Sequence, residues 1–354
     1  MYTVTEYTDI KSFNSLSEEW DKLVNAMTQP EVFYSWAWNK ISLENLYTDF
    51  KLKILVLREK EEIVAIAPFL IETKKTGSTT KKVLHPIVSD TAKLPCLADY
   101  TGFYVKDSAL LYVVTDTIVK HYAAGNDWDE VEFPNMNSAL PYNVLLKDVF
   151  TKNGLVTHFT YSGISPYIDL SEGKDIQGPV HLKIMYKRVK KLERDNDVKY
   201  FIDVDFSKHF FDEIFKLRET KWGKPKQSGN IYAFFEKLFF SPEFKKHIFF
   251  SYITVDGKFA AAHIGFKFGK KLYYYIPVSD ESFKEHHLGA LLLDKIVNYG
   301  IDNGYTSVDL LRGAEQYKFN WTSKASIIFK LSVSRSNSSS FSKAKTILKK
   351  YLKK

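Results

Sequence analysis

The chain has 354 residues, 45% of them hydrophobic, 16% aromatic and 26% charged, with 16 Gly, 11 Pro and one Cys. Such a composition belongs to a globular protein of about two domains and excludes collagen, a disulfide scaffold and a disordered chain. Cys96 has no second thiol for a disulfide or a metal cluster, and reads as a small buried hydrophobe.

The net charge of +8 is concentrated at one end. Residues 335–354 carry one Arg and six Lys with no acid, leaving 43 basic against 42 acidic side chains elsewhere. A body so balanced gives no support to a DNA-binding face. Residues 1–13 lack the cationic start and apolar run of a leader, and no apolar stretch approaches the roughly 18 residues of a membrane span. A cytoplasmic protein is the expectation.

In chain order, the spacing predicts helices over 17–27 and 34–46, the first with Trp20, Leu23 and Val24 on one face. Strands follow over 51–58 and 62–73 across a charged turn. A helix over 110–124 starts near Asp107 or Ser108 and stops at Gly125, and a strand covers 128–133. After a basic amphipathic helix over 181–194, read as an ordinary helix with a solvated face, the pattern returns. Helices are predicted over 208–221 and 233–240, and a hairpin over 249–255 and 258–268 turns at Asp256-Gly257. A strand over 272–278, a helix over 288–303 and a strand over 307–311 complete it. The segments at 55–69 and 252–266 are alike: strand, polar turn, then a strand rich in small apolar residues. The fold class is therefore α/β with mixed sheets, in two tandem units. Their expected limits are 1–166 and 167–334, with 335–354 a Ser-rich linker and basic tail. The tail sequence KAKTILKKYLKK can place Ile347, Leu348, Tyr351 and Leu352 on one helical side, which suits an anionic membrane surface; a solvated tail is the alternative.

No phosphate-binding P-loop, nucleophile elbow, zinc-protease helix or paired C-x-x-C occurs. Asp203-Val204-Asp205 resembles a metal-binding pair but arises readily on an exposed strand, so no metal is expected. The informative block is 272–321. Gly289 sits near the start of a helix between two strands, where free backbone N–H groups suit a pyrophosphate; a lone glycine there can equally ease packing.

The stretch DLLRGAEQYKFNW at 309–321 resembles the closing signature of CelD-type proteins of cellulose and exopolysaccharide loci, a branch of the GNAT acyltransferase superfamily. Asp309, Arg312, Gly313, Glu315, Tyr317, Lys318 and Trp321 carry the match. Trp222, the hairpin at 256–266, Asp280 and Gly289 look like further landmarks of that family. The resemblance implies two GNAT-like units, the second keeping an acyl-CoA site. The pyrophosphate loop would be His286, His287, Leu288, Gly289 and Ala290, which keeps one glycine and a histidine as its leading cation. The related FemAB-type transferases share the double layout and draw on aminoacyl-tRNA, so tRNA is the alternative donor.

Acyl transfer to an amine needs a base, a proton donor for the leaving group and donors for an oxyanion. The resemblance gives these roles to Asp309 as base and Tyr317 as acid, with Glu315 receiving the acceptor amine and Lys318 or Arg312 an anionic group. Residue by residue, Asp309 can instead hold its own loop, Tyr317 can be an amphipathic core residue, and Glu315 and Lys318 can form a local pair. His263 interrupts an apolar strand and reads as structural or catalytic. Tyr275 belongs to a Tyr triplet that divides between core and cleft; with Trp222 it joins the substrate side. The expected enzyme is an acyl-CoA-dependent N-acyltransferase acting on a small-molecule or glycan-precursor amine. The alternatives are an aminoacyl-tRNA-dependent transferase and a non-catalytic accessory protein.

Overall fold

The computed structural model describes residues 2–76, 78–89, 98–171, 173, 182–222 and 228–335. Cys96 and the tail after Arg335 lie outside them.

The first half runs β1 (Tyr2–Tyr7), α1 (Ile10–Ser15), α2 (Ser17–Ala26), α3 (Trp36–Leu46), β2 (Phe50–Glu59), β3 (Glu62–Thr76), β4 (Thr79–Pro86), β5 (Tyr104–Val105), α4 (Leu111–Ala124), β6 (Glu130–Asn137), α5 (Pro141–Lys152) and β7 (Val156–Asp169). The second runs α6 (Leu182–Asp195), β8 (Val198–Phe201), α7 (Lys208–Trp222), α8 (Ser228–Phe239), α9 (Pro242–Lys245), β9 (Ile248–Val255), β10 (Lys258–Phe268), β11 (Lys271–Ser279), α10 (Leu288–Asp302), β12 (Ser307–Asp309), α11 (Gln316–Phe319) and β13 (Ala325–Ser334). The order repeats: an antiparallel meander, a helix, then a strand parallel to the meander's last member. The alike sequences at 55–69 and 252–266 are its two hairpins, β2–β3 and β9–β10.

One mixed sheet joins the halves in the order β1-β2-β3-β4-β6-β13-β7-β12-β11-β10-β9-β8, with β5 beside β3. The parallel pairs are β4–β6 and β11–β12. At the centre the last strands are exchanged: β13, from the end of the second half, lies between β6 and β7, while the end of β7 pairs with β12. The expected boundary between Pro166 and Tyr167 thus falls inside β7, at the point where its partner changes from β13 to β12. Residues 167–169 are strand, and β13 belongs to the first sheet region. Hydrogen bonding across this exchange makes the two halves one continuous structure.

On one face of the second half, α6 and α10 bury Met185, Val189, Leu192, Leu288, Leu292 and Ile296 against β9–β12. The i, i+3/i+4, i+7 spacing of those residues is what makes both helices amphipathic. The other face meets α7, α8 and the first half through aromatic rings. Trp38 lies 5.5 Å from Phe266, 5.4 Å from Phe244 and 6.1 Å from Tyr275, and Phe33 lies 5.9 Å from Tyr273. Edge-to-face packing of this kind fixes the two halves closely enough to build a site between them.

Candidate active site

The parallel strands β11 and β12 pair only at Lys271–Ser307, Leu272–Val308 and Tyr273–Asp309. Then β12 ends, while β11 continues to Ser279 against β10 alone on its other side. A bulge sharpens this parting. The β10–β11 register steps from Phe266–Tyr273 to Ile264–Ile276, so β11 holds one extra residue opposite Gly265. His263 fills the bulge: its Nε2 accepts from the Tyr275 amide at 3.2 Å, and its ring stacks on Tyr274 at 4.4 Å. Burial lowers its pKa to about 3, so the imidazole is neutral. At Gly265 a Cβ would stand 2.1 Å from the Tyr273 carbonyl oxygen, so only glycine permits this approach.

Two cavities lie along the part of β11 beyond its pairing with β12. The larger, of about 650 Å³, is lined by Tyr274–Pro277, by Phe215, Arg218 and Glu219 of α7, by Tyr232 of α8, by Asp99, and by 310–312, Glu315, Tyr317 and Lys318. The smaller, of about 240 Å³, is lined by Ser279 and Asp280, Lys284, and His287 to Ala290 at the start of α10. Asp280 caps the 3-10 turn Glu281–His286 by accepting from Ser282 N, and His287 turns left-handed (φ 52°) to open α10. Of the amides heading that helix, those of Ala290 and Leu291 donate to His287 O at 3.0 and 3.1 Å, and Leu288 and Gly289 stand ahead of them at the helix start. A Cβ at Gly289 would meet nothing within 4 Å, so its surface is open for a ligand to approach. Arg188 of α6 reaches the rim, its Nη1 donating to Glu285 O at 2.8 Å and to His287 Nε2 at 3.2 Å.

The 309–318 loop is tightly held. Leu311 is left-handed (φ 63°), a conformation costing about 1–2 kcal/mol for a residue with a side chain. Its amide donates to Asp309 Oδ1 at 2.8 Å. The buried Lys318 donates to Leu311 O at 3.0 Å and Arg312 O at 2.8 Å, and pairs with Glu315 at 3.0 Å. Gly313 has φ 126°, and Glu315 folds back so closely that a Cβ at 313 would stand 2.2 Å from its Oε2. The Arg-Gly pair and the acid two residues on are therefore one steric unit.

The expected residues divide accordingly. Arg312, Glu315, Tyr317, Lys318 and Tyr275 come together at the larger cavity, and His287, Leu288, Gly289 and Ala290 at the smaller. His286 does not line either of these cavities. His263 is core, stacked and neutral. Trp222 closes α7, and its side chain lies outside the described residues. Asp309, expected as base, is buried behind its loop and does not line the larger cavity. Tyr100 donates to its carboxylate, 2.9 and 2.8 Å from the two oxygens, and burial with the Glu31 carboxylate nearby raises it to about 7. Lys318, expected to meet a substrate anion, spends its donors inside the protein, and Arg312 is paired with Asp99 at 2.9 Å. Tyr317 is 41% exposed and its pKa is pushed up to about 12 by desolvation, then by Glu315, so it carries its proton. Asp203 binds Lys267 and Tyr299, and no group of three metal-ligating side chains gathers among the described residues. Asp99, Tyr100, Arg218, Glu219 and Tyr232 carry no local motif and emerge only from the fold.

The site thus combines a short parallel strand pair that parts with a helix start facing a cavity. Residues 181–319 match the family model described as the acetyltransferase (GNAT) domain. This part of the chain is thus GNAT-like, and the protein is an N-acyltransferase by class. Among solved structures, FemX superposes with a TM-score of 0.60 at 10% identity, covering 89% of this chain and 95% of that one. A conserved protein of unknown function from Bacteroides thetaiotaomicron gives 0.53 at 12% identity over 95% and 100% of the two chains. A DUF2156 C-terminal domain from Agrobacterium fabrum gives 0.54 at 12% identity over 95% and 96%. These likenesses are of fold. Among curated proteins, no sequence matches this one significantly. Among the described residues no helix is long and apolar enough to cross a membrane.

Proposed function

We propose that the protein transfers an acyl group from acyl-CoA to an amine of a nucleotide-linked sugar or of a cell-envelope or exopolysaccharide precursor. The carrying observation is that one strand, β11, contributes to the walls of both cavities: Ser279 and the following Asp280 at the smaller, Tyr274–Pro277 at the larger. A donor held by phosphate at Gly289 would lie along β11 and bring its thioester to the parting of β11 and β12. Residues 288 and 289 fit such a group, since they head α10 at its positive end and, among the described residues, no atom lies within 4 Å of a Cβ placed at Gly289. The acceptor would occupy the larger cavity, whose four tyrosines (232, 274, 275 and 317) offer ring faces and hydroxyls suited to a sugar.

In this reading Glu315 receives the acceptor ammonium and takes its proton. Attack by the amine forms the amide bond and breaks the thioester; Tyr317 gives its proton to the departing thiolate and is reprotonated by the second proton released from the attacking nitrogen. The acceptor class and the CelD-type affinity rest on the block from Asp309 to Trp321. The test is transfer from acetyl-CoA to a panel of nucleotide-linked amino sugars by wild type and Tyr317→Phe. Loss of about 100-fold in kcat with donor affinity unchanged supports the reading; an equal kcat removes Tyr317 from the chemistry.

An aminoacyl-tRNA donor is the second reading. It is favoured by α6, which exposes Lys187, Arg188, Lys190 and Lys191 beside the smaller cavity and would follow more phosphates than CoA carries.

A further inference from the structure

The clasp on the catalytic loop comes from the first half of the chain. Tyr100 OH donates to the Asp309 carboxylate and lies 2.6 Å from Ser165 Oγ of β7. Its neighbour Asp99 accepts through Oδ1 from Arg312 N at 3.2 Å and from Arg312 Nε at 2.9 Å. Asn135, at the end of β6, accepts from Arg312 Nη1 at 2.5 Å. The same Asn135 is left-handed (φ 54°), and its carbonyl accepts from Thr101 N at 3.1 Å, which ties the 99–101 segment to β6. Backbone bonds from Leu310 N to Pro166 O and Gly313 N to Ile164 O, both 3.0 Å, fasten the remaining side. Two adjacent side chains therefore grip the two ends of one four-residue turn, Tyr100 at Asp309 and Asp99 at Arg312. Asp99 also forms wall of the larger cavity.

We infer that Asp99 and Tyr100 are positioning residues of the acyl-transfer site, and that the first half serves as the template on which the loop carrying Glu315 and Tyr317 is set. Arg312 is then the loop's handle rather than a receptor for a substrate anion. Gly313, Glu315 and Lys318 follow in register because Lys318 reaches back to the carbonyls of Leu311 and Arg312. The geometric part stands on the contacts alone; the catalytic part rests on the function proposed above.

The test uses the full chain and the variants Asp99→Asn, Tyr100→Phe, Arg312→Lys and the double variant Asp99→Asn/Arg312→Lys. Hydrogen exchange is followed at 310–318 and at 281–291, with acetyl-CoA binding and acyl transfer measured in parallel. The expected result is at least tenfold faster exchange at 310–318 with 281–291 within twofold of wild type. It includes a tenfold or greater fall in kcat with the Kd for acetyl-CoA unchanged, and a double variant no worse than the poorer single one. Should Asp99→Asn fail to fold, Asp99→Glu, which keeps the charge but displaces it, is read in its place. Unchanged exchange at 310–318, or loosening spread equally over both segments, overturns the positioning role. A wild type that transfers no acyl group while the exchange pattern holds would end the functional reading and leave the clasp standing.

Discussion

Tyr100 and Asp309 stand 209 residues apart, and the phenol of one donates to the carboxylate of the other inside the protein. The contact exists because β7 and β13 exchange places, bringing the first half against the end of β12. Its consequence is an acid isolated from water with a second carboxylate, that of Glu31, close by. Lys271 and Tyr273 bind Glu31 at 2.5 and 2.8 Å.

The pH dependence of stability follows. Asp309 is raised to about 7, against about 3.9 for an unfolded aspartate. Between those values the folded protein holds a proton the unfolded chain has lost, so this group's contribution to stability falls as pH rises from about 4 to 7 and then levels. Asp309→Asn removes it. Urea unfolding of both proteins at pH 5 and pH 8 should show wild type losing on the order of 1–3 kcal/mol relative to the variant across that interval. Parallel behaviour of the two would place the proton elsewhere.

His263 runs the other way. Its folded pKa of about 3 lies below the unfolded value near 6.5, so the unfolded chain takes up a proton first and stability falls as pH drops from about 6.5 to 3. His263→Gln keeps an acceptor for the Tyr275 amide and should flatten this limb of the stability profile. A profile identical to wild type would show the imidazole to be accessible to protons.

Lys318 gives a stability prediction distinct from catalysis. Removing its ammonium leaves the carbonyls of Leu311 and Arg312 without their donor, so Lys318→Met should cost on the order of 2–4 kcal/mol in denaturant unfolding. Acetyl-CoA affinity should hold in whatever fraction folds. A loss below about 0.5 kcal/mol would mean that water replaces the ammonium.

Two glycines separate structure from binding. Gly265→Ala places a methyl 2.1 Å from the Tyr273 oxygen and should destabilise by several kcal/mol, seen as insoluble or unfolded protein. Gly289→Ala meets empty space and should leave the melting temperature within a few degrees. Thermal melts of the two, side by side, decide whether the bulge or the helix start is the constrained point.

Local pattern disclosed the two hairpins, α10 and the strand carrying Asp309, because each alternates or repeats within its own length. Alternation along that strand sets Val308 and Leu310 opposite to Asp309, and the first two pack against α10. Local pattern could not disclose β7 and β13. They pair with each other across more than 150 residues of chain, and one face of β7 exposes His158, Thr160 and Ser162, which reads as a loop. The exchange hides the unit boundary for the same reason. At the site, Arg312, Glu315 and Tyr317 are picked out by the resemblance of the 309–321 block, and Gly289 by its place at a helix start between two strands. Whether an acid faces substrate or core depends on what stands behind it, and Tyr100 lies too far along the chain to be read. Lys318 reads as a contact for a substrate anion or a local partner of Glu315; its bonds to the carbonyls of Leu311 and Arg312 depend on how the loop folds back.

The central claim is that the cavity at Gly289 holds the phosphate of an acyl donor. Isothermal titration of the full chain with acetyl-CoA and a longer acyl-CoA tests it most directly, with Gly289→Ala and Gly289→Phe alongside. The account predicts micromolar binding to wild type, near-normal binding to the alanine variant, and at least a tenfold loss with phenylalanine at an unchanged melting temperature. No binding of either acyl-CoA to wild type, or equal binding by the phenylalanine variant, would contradict it.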